Sequence, residues 1–203
     1  MIDLATLASF ALTSTLIEIT PGPNMAYLAL VAATKGRKPG LAAVAGVALG
    51  LGVLGVAAAF GLDALIAQSP VAYQVLRWCG VAYLAWLAWE AWREADDPAE
   101  QVDPTASLGQ YFRRGLITNL LNPKAALFYL AVLPGFLAPD AGLGDTLTLS
   151  AVYVGVATAI HSAIVMAAGA AQGWLADPRR TRPVRRGLAL ALLAVAAWVV
   201  WKT

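Results

Sequence analysis

Thr20-Pro21-Gly22-Pro23-Asn24 interrupts an apolar run that extends from about residue 4 to residue 34. A second interruption, Asn122-Pro123-Lys124, lies inside the apolar run 116–137. Proline lacks the backbone donor and clashes with the preceding turn, so Pro21, Pro23 and Pro123 should each mark a helix break. Peptide groups freed by a break inside a bilayer are costly unless protein or a hydrated cavity satisfies them. Two breaks in corresponding halves indicate the binding site of a membrane transporter.

The composition is that of a membrane protein. Of 203 residues, 60% are hydrophobic and 13% are charged, whereas soluble domains are roughly half apolar and a quarter charged. Six stretches approach the length of about 20 residues that a transmembrane helix needs. They are 4–20 (continuing after the break to 33), 40–62, 71–92, 115–137, 147–171 and 187–201. The last is short, and it lengthens if its helix begins at Pro183. The sequence therefore predicts an all-α membrane protein with six transmembrane helices.

Basic residues set the expected orientation. They concentrate in alternate loops, after the first and third spans and before the sixth: Lys35, Arg37, Lys38, Arg93, Arg113, Arg114, Arg179, Arg180, Arg182, Arg185 and Arg186. Cationic loops stay on the cytoplasmic side of the membrane. Both termini are therefore predicted to lie on the outer face.

Three spans on each side of the central loop require the two halves to be inverted relative to each other. The chain is predicted to be a single transmembrane domain with repeat 1 at about 1–92, a cytoplasmic loop at 93–114 and repeat 2 at about 115–203. A shift of 102 positions places Thr20-Pro21 over Asn122-Pro123, and Tyr27-Leu28-Ala29 over Tyr129-Leu130-Ala131. Each half then begins with a proline-broken helix.

The two breaks should present helix N-termini, which carry unpaired N–H groups and a partial positive charge of about +0.5. Thr20 and Asn122 each precede a proline, as expected of an N-cap before the first helical residue. Such ends bind carboxylates, and Lys124 adds a full positive charge. The predicted substrate-binding residues are Glu18, Thr20, Gly22, Pro23, Asn24, Asn119, Asn122 and Lys124.

Two ionisable residues within the spans are candidates for proton coupling. Glu18 should face protein or water, because a charge in lipid is expensive; it could bind a substrate ammonium, carry a proton, or form a structural ion pair with Lys124. His161, the only histidine, could relay a proton or hydrogen-bond between helices. Asn119 could either hydrogen-bond to a neighbouring helix or contact the ligand.

Other chemistries have little support in the sequence. Cys79 is the only cysteine, so no internal disulfide or thiolate cluster forms, and a small buried thiol is expected. Neither HExxH nor a nucleophile elbow occurs, which argues against an enzyme. No catalytic residue, metal site, cofactor or nucleic-acid partner is predicted, and whether the glycines of the second span pack within the chain or in a homo-oligomer is left open.

These motifs resemble those of the LysE/RhtB family of amino-acid exporters. The resemblance is carried by Thr-Pro-Gly-Pro-Asn at 20–24, Gly80-Val81-Ala82-Tyr83-Leu84, and the segment 115–136 with its Asn122-Pro123-Lys124-Ala125 core. It covers essentially the whole chain. It implies a multi-pass protein of the bacterial inner membrane, with periplasmic termini by the orientation above, that exports amino acids or close derivatives by proton coupling.

The predicted function is secondary active export of an amino acid, with the substrate, protons and the bilayer as partners. One alternative is a metal-cation exporter of a related superfamily, although such a site needs clustered carboxylates, His or Cys. Another is a non-transporting membrane scaffold protein.

Overall fold

The computed structural model describes residues 2–20, 22–61, 69–96, 107–138, 140–170 and 178–202, and these residues are helical with no strand among them. The helices are α1 (Leu4–Ile19), α2 (Pro23–Lys35), α3 (Arg37–Ala59), α4 (Pro70–Asp96), α5 (Leu108–Leu120), α6 (Pro123–Leu127), α7 (Leu143–Ala170) and α8 (Pro178–Lys202). A π-helical turn (Phe128–Val132) and a 3₁₀ turn (Leu133–Phe136) continue α6.

Both predicted breaks are present as bends between short helices. The chain bends by 62° between α1 and α2, and by 51° between α5 and the segment that begins with α6. Pro23 and Pro123 occupy the first turn of α2 and α6, where the missing N–H costs nothing. Pro21, the third predicted break residue, lies outside the described residues.

Glycines set the close approach of α3 to α5. A Cβ on Gly46 would lie 2.0 Å from the Phe112 carbonyl oxygen, and one on Gly115 would lie 2.2 Å from the Ala43 carbonyl oxygen. The backbones therefore touch directly, as small residues allow. The prediction that glycines in the second span serve close packing is confirmed within the chain at Gly46, whereas Gly52 faces open space.

The packing of the two halves is reciprocal. α3 of the first half packs on α5 of the second, and α7 of the second half packs on α1 and α2 of the first. α4 and α8, the last helices of the two halves, pack on each other. The broken helices thus lie against the partner half.

Fewer spans qualify than the six predicted. Among the described residues, α3 and α7 are each long and apolar enough to cross a membrane, and the total is four if each bent pair counts as one span. α4 and α8 coincide with the third and sixth predicted spans but are not among these candidates, so the six-span prediction is not confirmed.

Two smaller predictions are wrong. Pro183 lies inside α8, which begins at Pro178, because Pro178 already supplies the favourable first-turn proline. Cys79 is exposed rather than buried, since it lies on a face of α4 that is not covered by neighbouring helices.

Candidate functional site

A lysine joins the two helix breaks. Nζ of Lys124, in the first turn of α6, donates to the Thr20 carbonyl oxygen at the end of α1, at 2.8 Å. The lysine stem passes Gly22, where a Cβ would lie 3.2 Å from Lys124 Cδ and 3.7 Å from Nζ. Lys124 of the second break therefore lies beside Thr20 and Gly22 of the first. Their role in binding a substrate stays a prediction.

Thr20 does not cap α2, contrary to the sequence prediction. It is the C-terminal cap of α1, with φ −67° and ψ 131°, and its hydroxyl donates back to the Ile17 carbonyl. The extended conformation of Thr20 is what a following proline favours. The N-cap of α2 is Gly22, which is extended and has no side-chain oxygen to accept from the first-turn amides. These amides therefore lack a side-chain cap.

Asn122 caps α6 as predicted. Its Oδ1 accepts from the backbone N–H of Lys124 at 3.0 Å, and Pro123 follows as the first helical residue. This cap uses one of the amides that the sequence had assigned to ligand binding. The uncapped end of α2 is consequently the stronger donor site of the two.

Glu18 is buried and both its carboxylate oxygens have partners on α7. Glu18 is 4% exposed. The Tyr153 hydroxyl donates to Oε1 at 2.7 Å, and His161 Nε2 lies 3.2 Å from Oε2. Within the described chain the ion-pairing partner of Glu18 inside 4.0 Å is His161 rather than Lys124. Of the three roles that the sequence left open for Glu18, the direct ion pair with Lys124 is not formed, because the lysine donates to the Thr20 carbonyl instead.

His161 makes a contact between α7 and α1. It is 1% exposed and reaches from α7 to Glu18 on α1. Nε2 makes this close contact without hydrogen-bond geometry, and Nδ1 has no hydrogen-bond partner among the described residues. The two proton-coupling candidates, Glu18 and His161, are therefore brought into contact by the fold.

Two tyrosines complete the cluster. Tyr153 is fully buried, and its ring stacks on Phe128 with centroids 3.5 Å apart. Tyr129 lies edge-on to Tyr153 and donates to the Leu51 carbonyl on α3 at 2.8 Å. The sequence analysis did not identify either as a site residue. A signal was available for Tyr153, because it lies eight residues before His161 and so shares its helix face.

The asparagines predicted to bind substrate are buried. Asn24 Oδ1, in the first turn of α2, has no hydrogen-bond partner in the described chain. Asn119 packs on α3, where a Cβ on Gly50 would lie 2.6 Å from its Oδ1, and its amide atoms also lack described partners. Asn119 therefore contacts a neighbouring helix but does not make the interhelical hydrogen bond that was one of its two predicted roles. Buried amides are usually hydrogen-bonded, so these unpartnered groups are candidates to bind a polar ligand.

Metal ligands are sparse in the part of the chain that the structure describes. No group of three or more His, Cys, Asp or Glu side chains lies there in an arrangement that could hold an ion. The charged residues of the site are instead one cation, one anion and a histidine.

Apolar helices broken at two places, with charged side chains gathered where the breaks meet, define a membrane transporter rather than an enzyme. The family comparison agrees, since the model of the LysE type translocator matches residues 15–203. The chain belongs to this family.

Named relatives resemble the chain over most of its length. It is 29% identical over 191 residues to the homoserine/homoserine lactone efflux protein of Salmonella typhimurium, covering 93% of each chain. It is 31% identical over 168 residues to an uncharacterized membrane protein of Pseudomonas aeruginosa, covering 79% of this chain and 78% of the other. No solved structure matches the chain.

Proposed function

We propose that the protein is a secondary exporter of amino acids or close derivatives across the bacterial inner membrane, driven by the proton gradient. The observation that carries the proposal is the meeting of the two breaks, where Lys124 and the buried Glu18 lie close to helix ends. Membership of the translocator family and the efflux function in the name of the Salmonella relative support it.

The carboxylate of the substrate would bind at the end of α2. Gly22 leaves the first-turn amides of α2 without a side-chain cap, and the Lys124 ammonium lies beside that residue. A carboxylate there would replace the Thr20 carbonyl as the acceptor for Lys124, and it would gain from the helix dipole. A lactone presents a carbonyl oxygen in the same position, so the same donors suit both forms.

The ammonium of the substrate needs an acceptor nearby. Asn24 Oδ1 is buried and without a described partner, while both oxygens of Glu18 are engaged by Tyr153 and His161. Asn24 therefore suits the ammonium better in this conformation. Glu18, paired with His161, is better placed to carry the exchanged proton.

Alternating access would follow from movement of one half against the other. The second helix of each half packs on the broken helix of the partner half, which is the arrangement that an inverted repeat produces. This packing supports two inverted halves of three spans each, while the basic residues of alternate loops support periplasmic termini.

No observation on the described residues favours either alternative function. Export of a metal cation needs a cluster of hard or soft ligands, and the described residues offer Glu18 and His161 without a third partner of that kind. A scaffold protein would have no use for a buried carboxylate and an unpartnered asparagine at a helix break.

Efflux from proteoliposomes tests the proposal. Vesicles loaded with labelled homoserine should release it faster when an inward proton gradient is imposed, and Glu18→Gln should abolish that acceleration. Release that ignores the gradient and is unaltered in Glu18→Gln would remove the proton coupling.

Ligand binding can be measured separately from transport. A ligand that binds only the native state raises thermal stability, so amino acids, lactones and polyamines can be screened with the solubilised protein. Lys124→Gln should lose the stabilisation by an amino acid. Lys38→Gln, which changes an exposed lysine of α3, is the matched control and should keep it.

A further inference from the structure

The pair formed by Glu18 and His161 is held in place by a third residue. Tyr153 donates to Glu18 Oε1 at 2.7 Å, while His161 Nε2 lies 3.2 Å from Oε2. The two α7 residues are eight positions apart, so they lie on one helix face and approach the carboxylate from two sides. The hydroxyl thus fixes the rotation of the carboxylate, and with it the oxygen that faces the imidazole.

The tyrosine ring is itself immobilised. It stacks on Phe128 at 3.5 Å with an interplanar angle of 8°, and Tyr129 packs edge-on against it at 5.5 Å. Both partners belong to the π-helical turn that continues the second broken helix, and such turns are frequent at functional sites. The position of the hydroxyl on Glu18 therefore depends on the conformation of the second break.

The other ionisable groups around Glu18 are few. Facing it from the packed elements of the described chain are Tyr153 and His161 on α7, Lys124 on α6 and Tyr129 in the π-helical turn. Lys124 is engaged by Thr20, and Tyr129 by Leu51. His161 is therefore the basic side chain in direct contact with the carboxylate, with Nε2 3.2 Å from Oε2.

We infer that Tyr153 is a positioning residue for a proton site shared by Glu18 and His161. The proton passes between His161 Nε2 and Glu18 Oε2: the N–H bond breaks as the O–H bond forms, and the ion pair becomes a neutral pair without a change in net charge. The inference rests on the proposed function, which it deepens by naming the residue that aligns the two groups.

Infrared difference spectroscopy tests the alignment without a transport assay. Reconstituted protein is taken between about pH 4 and pH 9, and the carboxylic-acid C=O band that disappears in Glu18→Gln is assigned to Glu18. In Tyr153→Phe the band should move to higher frequency, because the carbonyl loses a hydrogen bond. Tyr129→Phe is the matched control. It also removes one buried tyrosine hydroxyl, but that hydroxyl donates to the Leu51 carbonyl rather than to Glu18. Its band should stay at the wild-type position.

Transport supplies a second readout. Tyr153→Phe should reduce gradient-driven homoserine efflux about tenfold or more, the usual effect of losing a hydrogen bond to a charged group. Exchange of labelled for unlabelled homoserine without a gradient should stay within about twofold, whereas a merely structural role would reduce both.

The results distinguish the positioning role of Tyr153 from the proposed transport function. No Glu18 band, an unshifted band in Tyr153→Phe, or an equal shift in Tyr129→Phe overturns the positioning role. Failure of the wild-type protein to move homoserine would count against the proposed function with that substrate, while the infrared result would still decide the role of Tyr153.

Discussion

At the scale of single residues, the site is built from groups that complete one another across the chain. The Lys124 ammonium donates to the Thr20 carbonyl at the end of α1, and the Lys124 backbone N–H donates to Asn122 Oδ1. Tyr153 donates to one Glu18 oxygen, and His161 Nε2 lies 3.2 Å from the other. A buried carboxylate is tolerated where its oxygens are hydrogen-bonded and paired. Substituting one member should therefore affect its partners as well.

The cap of α6 gives a prediction at this scale. Asn122→Ala removes the acceptor for the Lys124 amide and should lower stability by about 1 kcal/mol, or about 2–4 °C in melting temperature. Asn122→Asp keeps an oxygen in place and should melt close to the wild type. Thermal unfolding of the solubilised protein measures both, and an Ala variant as stable as the Asp variant would contradict the capping role.

At the scale of helices, small residues allow the backbones of α3 and α5 to touch. Gly46 on α3 faces the Phe112 carbonyl and Gly115 on α5 faces the Ala43 carbonyl. The two helices thereby pack closely enough for Asn119 to lie against Gly50. The helix that ends at the second break is in this way held firmly against the first half.

Substitution of these glycines should separate the two kinds of position. Gly46→Ala forces the α3 and α5 backbones apart and should cost about 1–3 kcal/mol. Gly52→Ala lies on the same helix with no atom within 4 Å of the new Cβ. It should be neutral or gain up to about 1 kcal/mol from helix propensity. Comparison of the two melting temperatures is the measurement, and similar values would argue against close packing at Gly46.

At the scale of the whole molecule, the contacts of the site join the two halves. Glu18 belongs to the first half and its partners to the second, while Lys124 reaches from the second half to Thr20 in the first. Tyr129 likewise bridges to Leu51. Movement of one half against the other would break or remake all of these bonds. Binding of a ligand or a proton at the site is thus physically linked to the arrangement of the halves.

The expected topology is tested by fusions at the C-terminus. With six spans and periplasmic termini, alkaline phosphatase fused there should be active, and green fluorescent protein should remain dark. A fusion in the central loop, within 97–106, should give the opposite pair of results. Fluorescence from the C-terminal fusion would show an odd number of spans or the reverse orientation.

The membrane class, the helix breaks at Pro23 and Pro123 and the capping role of Asn122 were all predictable from the sequence. These follow from local rules, because proline geometry, capping chemistry and composition act within a few residues. The sequence could not place the partners of Glu18. Tyr153 and His161 lie 135 and 143 positions away from it, counted as 153 − 18 and 161 − 18, and no local pattern connects them. Only the packing of α1 against α7 decides that contact, because the choice of partner for a buried charge depends on which side chains the fold brings within hydrogen-bond reach.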